Sequence, residues 1–239
     1  LCGFSASSGG AEDKRRQAAC RAAPPDARIE PSSKKSGGSP VTVFHLVRHG
    51  EHVLRGRGVL AGRTPGVGLS ATGRAEITAV AERLGGEAVA ALYASPLERT
   101  RESAEILGAR LALPVRFRDD VIELDFGEWT GLTFDAVRQD PRWEAWRSCR
   151  SMAAVPGGES MRAVQQRTVN ALAELQRDHR RDTVVVVSHG DVIRAALLYA
   201  LGMPLDLYAR IEIGLGSIST IEFGDRGFCV RQLNTRPHF

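Results

Sequence analysis

Beyond residue 40 the sequence contains no lysine: all three, Lys14, Lys34 and Lys35, lie in the first 40 residues. A core without lysine excludes a P-loop lysine and a Schiff-base lysine, and with them two large enzyme classes. Cysteine is scarce too. Cys2, Cys20, Cys149 and Cys229 show neither a CxxC pair nor metal-ligand spacing, which argues against a disulfide scaffold or zinc ribbon and for a reducing compartment. No apolar run is long enough to cross a bilayer, and the opening LCGFSASSGG lacks the hydrophobic stretch of a signal peptide, so a cytoplasmic protein without a membrane partner is expected.

Charge of one sign is also missing where it would matter. The formal net charge is +4, but seven basic residues against four acidic ones in the first 40 carry three of those charges. Residues 41–239 are therefore close to neutral, with both signs interspersed, and no nucleic-acid partner is expected. Residues 1–40 are rich in Ser, Gly, Pro and Ala without apolar periodicity. They read as a disordered low-complexity tail, and residues 41–239 as one domain with a sizeable core.

What the chain does have is a repeated device. Val41–Glu51, VTVFHLVRHGE, is an apolar run ending in Arg48-His49-Gly50-Glu51, and Thr183–Asp191, TVVVVSHGD, ends in Ser188-His189-Gly190. Both runs read as buried strands, and in an open α/β sheet ligands sit beyond the carboxyl ends of the strands. Two such strands bring two histidines to one edge.

Between them, Ser70–Leu84 has helical apolar spacing and Ala88–Ala94 reads as a strand. Ser95, Pro96 and Glu98 form a capping-box pattern that places Arg99 in the first turn of the next helix. Val115–Phe117 is a short strand, and Asp119–Gly131 is irregular, with Glu123 and Asp125 beside Phe126 and Trp129, apolar bulk that would desolvate a carboxyl group. Pro156–Ser160 is a turn launching a helix to about Arg177. A helix over Val192–Leu201 and strands at Ile218–Phe223 and Phe228–Leu233 close the chain. The alternation predicts an α/β fold, a three-layer α/β/α sandwich with a mainly parallel central sheet.

Two arginine forks, two histidines and a desolvated carboxyl group suit a tetrahedral oxyanion. A neutral histidine can attack phosphorus, an imidazolium can balance the equatorial oxygens, and a protonated carboxyl can serve the leaving oxygen. Arg48-His49-Gly50-Glu51, Ser95-Pro96-Leu97 with Arg99-Thr100-Arg101, Glu123 with Phe126-Gly127 and Trp129, and Val187-Ser188-His189-Gly190, in that order, resemble the histidine phosphatase superfamily, the phosphoglycerate mutase-like group, in its compact phosphatase form. The resemblance spans about residues 41–234. It implies that His49 is the nucleophile, Arg48 and Arg99 the phosphate clamp, His189 the second histidine of the phosphate pocket and Glu123 the proton donor, with Asp125 the competing carboxylate. It implies catalysis without a metal, and no cofactor is expected.

The chain departs from the family pattern at His52 and Arg55, where Thr and Asn are common, and at Ala61, where Gln is common. Arg55, Arg57 or Arg63 offer compensation and would suit a substrate with a second negative charge; Arg55 is taken as a candidate substrate-binding residue. His52 is balanced between pocket and surface, His45 reads as a satisfied core residue, and His179 and His238 as exposed. Trp129, Trp143 and Trp146 read as packing, and the 51–70 loop with Pro156–Ser160 as partial pocket walls. The expected activity is hydrolysis of a small phosphorylated metabolite through a phosphohistidine. The rivals are a phosphoglycerate-type mutase, disfavoured because only 65 residues separate Glu123 from His189, a non-catalytic phosphate-binding module, and a phosphoprotein phosphatase.

Overall fold

The computed structural model describes residues 40–237. The expected tail, Pro40 excepted, and His238 lie outside the described residues. Six strands form one sheet: β1 (Val41–Arg48), β2 (Val89–Ala94), β3 (Val115–Phe117), β4 (Thr183–Ser188), β5 (Ile218–Gly224) and β6 (Gly227–Thr235). Their order across the sheet is β3-β2-β4-β1-β5-β6. The pairings from β3 to β1 are parallel, and β5 and β6 add an antiparallel hairpin against β1.

Successive side chains of the central strands serve opposite layers, as strand geometry requires. Val185 and Val187 of β4 join Ile77, Val80 and Leu84 of helix α1 (Ala71–Leu84) and Leu107 of α2 (Glu98–Leu111) in one buried layer. Val184 and Val186 join Val164, Leu172 and Leu175 of a long helix (Met161–Asp178) and Ile193 and Leu197 of another (Gly190–Ala200) in the other. Burial on both faces explains why β1 and β4 are near-continuous apolar runs. The expected three-layer α/β fold is the one observed.

The sequence pattern assigns no helix or strand to residues 132–155. Two short helices occupy much of that stretch, α3 (Phe134–Gln139), capped by Thr133 Oγ1 accepting from Ala136, and α4 (Pro141–Ser148), capped by Asp140 accepting from Arg142. The helices at Met161–Asp178 and Gly190–Ala200 are therefore α5 and α6. Asp140 also accepts from Trp129 Nε1 at 2.8 Å, which ties α4 to the core through a cluster in which Trp129 packs edge on against Trp143 and Trp146.

Two local expectations are corrected. Ser95 does not cap α2. The helix starts at Glu98 with Leu97 in the cap position and no side-chain cap bond, because the Ser95 hydroxyl lies 2.7 Å from Nε2 of His189 instead. Nor is His179 exposed: its ring is half-buried, with Nε2 2.9 Å from the Tyr93 hydroxyl and Nδ1 3.2 Å from Asp182. His45 is buried between Glu87, 2.7 Å from Nε2, and Thr220, 3.0 Å from Nδ1.

Candidate active site

Parallel pairing of β1 with β4 sets Arg48 level with Ser188, so His49 and His189 leave the sheet side by side. Their ring centroids are 5.2 Å apart at an interplanar angle of 60°. Close backbone approach makes this possible. A Cβ at Gly50 would run into the carbonyl of Gly73 in α1, and one at Gly73 into the backbone of Glu51, so the turn after His49 is seated directly on the helix. Glu51, the last residue of the RHGE stretch, accepts from the Ser70 hydroxyl, and Ser70 in turn caps α1.

The His49 Nδ1–H donates to the Gly50 carbonyl at 2.7 Å. A carbonyl only accepts, so the proton sits on Nδ1 and the lone pair on Nε2, where Arg99 Nε donates at 3.3 Å. Burial, then the charges of Arg99 and Arg48, hold the His49 pKa well below the usual imidazole value. The ring is neutral at pH 7.

Arg99 leaves the first turn of α2 almost wholly buried. Its Nη2 donates to the Gly62 carbonyl at 2.8 Å, and Nη1 has no partner. Arg48 donates to the Ile213 carbonyl at 2.6 Å through Nη1 and keeps Nε unpartnered. A Cβ at residue 190 would press on the Arg48 guanidinium, which accounts for Gly190.

Glu123 reaches the same space from the irregular segment after β3. Ser188 donates to Val121 O at 2.7 Å, Arg63 Nε to Glu123 O at 2.8 Å and Arg167 to Asp120 O at 2.9 Å, pinning that segment to β4 and α5. Arg63 and Arg167 are themselves held by Glu159 of the Pro156–Ser160 turn. One carboxylate oxygen of Glu123 accepts from Leu124 N–H at 2.9 Å; the other lies 3.9 Å from Arg99 Nη2 and 3.7 Å from His189 Nδ1. Burial, then the nearby Asp191 charge, push the Glu123 pKa up to about 7, against the pull of Arg99. Asp125 is turned away, accepting from Gly127 N–H.

His189 is fully buried, its Nδ1 without a hydrogen-bond partner. Burial and the charges of Arg99 and His49 hold its pKa well below the usual value. The protein's own groups thus disfavour the imidazolium expected of His189, because Arg99, His49, Arg48 and Arg167 all act against a charge on a desolvated ring.

Beside these groups opens a cavity of about 510 Å³, and His189, buried next to His49, lies just off its lining. Arg48, His49, Arg99 and Glu123 line it, as do His52 and Arg55, two of the positions that depart from the family pattern. His52 sits 5.8 Å from His49, centroid to centroid, and burial followed by Arg99 lowers its pKa to about 4. Arg57 and Arg63 do not reach the cavity, Arg63 being spent on Glu123 and Glu159. Pro156–Ser160 forms no part of the wall either; it braces the Glu123 segment from behind. Trp143 and Trp146 line the cavity as well as packing the core, together with Phe134, Arg150, Asp191 and Tyr208. The sequence carried little sign of these, apart from an aromatic-rich stretch. Among the described residues no cluster of three His, Cys, Asp or Glu side chains is arranged to hold a metal ion.

Comparison with known proteins agrees with this architecture. The bifunctional protein Rv2228c of Mycobacterium tuberculosis is 35% identical over 203 residues, which is 82% of this chain; the chain spans about half, 54%, of that relative's length. Phosphoserine phosphatase 1 of Hydrogenobacter thermophilus is 30% identical over 81% of this chain and 92% of its own. Among solved structures, mycobacterial glucosyl-3-phosphoglycerate phosphatase Rv2419c superposes with a TM-score of 0.74 at 26% identity, covering 82% of this chain and 99% of that one. The profile of the histidine phosphatase superfamily (branch 1) matches residues 44–236, and the chain belongs to that family.

Proposed function

We propose that the protein is a metal-independent phosphatase that hydrolyses a small phosphomonoester through a phosphohistidine at His49. The observation that carries this reading is a neutral His49, its proton fixed on Nδ1 by Gly50 and its Nε2 lone pair beside the Arg99 guanidinium. A phosphoryl group gripped by Arg99 and Arg48 is delivered to that nitrogen. Attack of Nε2 forms the N–P bond as the ester P–O bond breaks, and Glu123, half protonated near neutrality, gives its proton to the departing oxygen. The resulting carboxylate then takes a proton from water as it attacks the phosphohistidine, regenerating His49 and releasing phosphate.

His189 supplies a donor. In the tautomer whose Nε2 accepts from Ser95, its Nδ1–H is left for an equatorial phosphoryl oxygen. The developing charge is met by guanidiniums and this imidazole, so the sequence of steps calls for no Lewis acid. Relatives named for phosphoserine and glucosyl-3-phosphoglycerate support a small-molecule substrate. The mutase rival shares the intermediate but would return the phosphoryl group to a sugar acid.

The test is phosphate release from p-nitrophenyl phosphate and a panel of small esters with chelator present. Chelator-resistant turnover is expected, lost by at least about 10³-fold in His49→Ala. Activity that survives that substitution, or that a chelator removes, rejects the reading. Activity on phosphoglycerate alone, dependent on a bisphosphorylated primer, selects the mutase.

A further inference from the structure

The cavity is much larger than a phosphoryl group needs, and one part of its remaining wall is aromatic. Phe134, Trp143, Trp146 and Tyr208 face it with aromatic surface, and Arg150 is set among them. Arg150 is only 7% exposed. Its guanidinium carbon lies 3.8 Å from the Trp146 ring centroid and 3.6 Å from that of Tyr208, and Arg194 stacks on the same Tyr208 ring at 4.0 Å.

Stacking satisfies the faces of the Arg150 guanidinium but not its five N–H donors. Among the described residues its side chain makes no hydrogen bond and has no carboxylate within 4 Å, and Nη1 is buried without a partner. A buried charge left this way is costly, and the usual compensation is a counter-charge. Asp191, which shares the cavity wall with it, is half-buried and forms no ion pair with it. The lining holds four guanidiniums, Arg48, Arg55, Arg99 and Arg150, against Asp191 and Glu123. With Glu123 protonated and a phosphate dianion bound, about one positive charge is left over. A carboxylate on the bound molecule would offset it, and Arg194, on the same Tyr208 ring, adds to the excess.

We infer that Arg150 recognises a carboxylate on the leaving group, whose planar or apolar body lies against Trp143, Trp146 and Tyr208. The inference builds on the phosphatase reading and narrows its substrate class: a phosphomonoester of a hydroxy-carboxylate or carboxyphenol type, held at both ends.

Two near-isosteric esters test it, 4-carboxyphenyl phosphate and 4-carbamoylphenyl phosphate, compared by kcat/KM. The native chain is expected to prefer the carboxylate by about tenfold or more, the worth of one charge-assisted hydrogen-bond pair. In Arg150→Met the preference should fall to about one or below, and in Arg150→Lys, which keeps stem and charge but loses the fork, to an intermediate value. Circular dichroism identifies a variant that fails to fold, in which case the Lys variant decides. Turnover of both esters without preference, or a preference that survives both substitutions, overturns the inference and leaves the phosphatase reading intact.

Calorimetric binding of 4-phosphonobenzoate against phenylphosphonate separates the two claims. If neither ester is hydrolysed, tighter binding of the phosphonobenzoate by the native chain, lost in the Arg150 variants, upholds the subsite while the phosphatase reading falls. No difference in binding rejects the subsite as well.

Discussion

On the proposed reaction, Glu123 is needed in proportion to how poor the leaving group is. p-Nitrophenolate departs without a proton, whereas an alkoxide does not. Glu123→Gln is therefore expected to lower kcat by about 10²–10⁴-fold for an alkyl phosphate and by much less for p-nitrophenyl phosphate. The pH profile carries the same information. A proton donor with a pKa of about 7 gives kcat/KM for alkyl esters a limb that declines above that pH, and the glutamine variant should lack it. Equal losses on both esters, or a limb that persists, would remove Glu123 from the role. Much of this site was legible in the sequence, because a histidine or arginine directly after a buried strand or in a first helical turn has its position set by local structure. Arg150 was not. Its burial depends on Trp146 one turn earlier and on Tyr208, 58 residues later, and no local pattern announces such a meeting.

At the scale of elements, the contact between the His49 turn and α1 makes an unusual demand. Glycine inside a helix ordinarily costs about 1 kcal/mol relative to alanine, so Gly73→Ala would be stabilising in an isolated helix. Here the added Cβ meets the backbone of Glu51, which cannot rotate away as a side chain would. The expected outcome is destabilisation of about 2–3 kcal/mol, read from urea unfolding, with activity reduced because α1 must shift against His49. A variant as stable as the native chain would show that the contact yields. The same scale explains the misread start of α2. Ser, Pro and Glu stood at the right spacings for a capping box, but a buried histidine without another partner for Nε2 claims the serine. Helices α3 and α4 escaped notice for a different reason. They are six and eight residues long, too short for a clear apolar stripe, and are held by Thr133, Asp140 and the tryptophan cluster rather than by periodicity.

For the whole molecule, the buried ionisable groups set how stability varies with pH. His49, His189 and His52 have pKa values depressed by folding, so below their unfolded value near 6.5 the unfolded chain binds more protons and stability drops as the pH is lowered. Glu123, raised to about 7, works in the opposite sense between its unfolded value and pH 7, and offsets only part of three histidines. The unfolding free energy read from urea titration is expected to fall between pH 7 and pH 5, and His52→Gln should reduce that fall by on the order of 1–2 kcal/mol. A free energy that does not move, or moves equally in both proteins, contradicts the assignment.

The strand order has a consequence for synthesis on the ribosome. β1 pairs only with β4 and β5, and β2 only with β3 and β4. Until Thr183 has been added, the nascent chain can form a single small strand pair, and β1, among its most apolar segments, has both edges bare. At usual translation rates that interval, Arg48 to Ser188, lasts on the order of ten seconds. During it the chain carries His49 without the His189 that packs beside it, and an exposed strand that a chaperone would recognise. The arrival of one six-residue strand covers the first of those edges and joins β1 to β2, and the second edge stays bare until β5 follows.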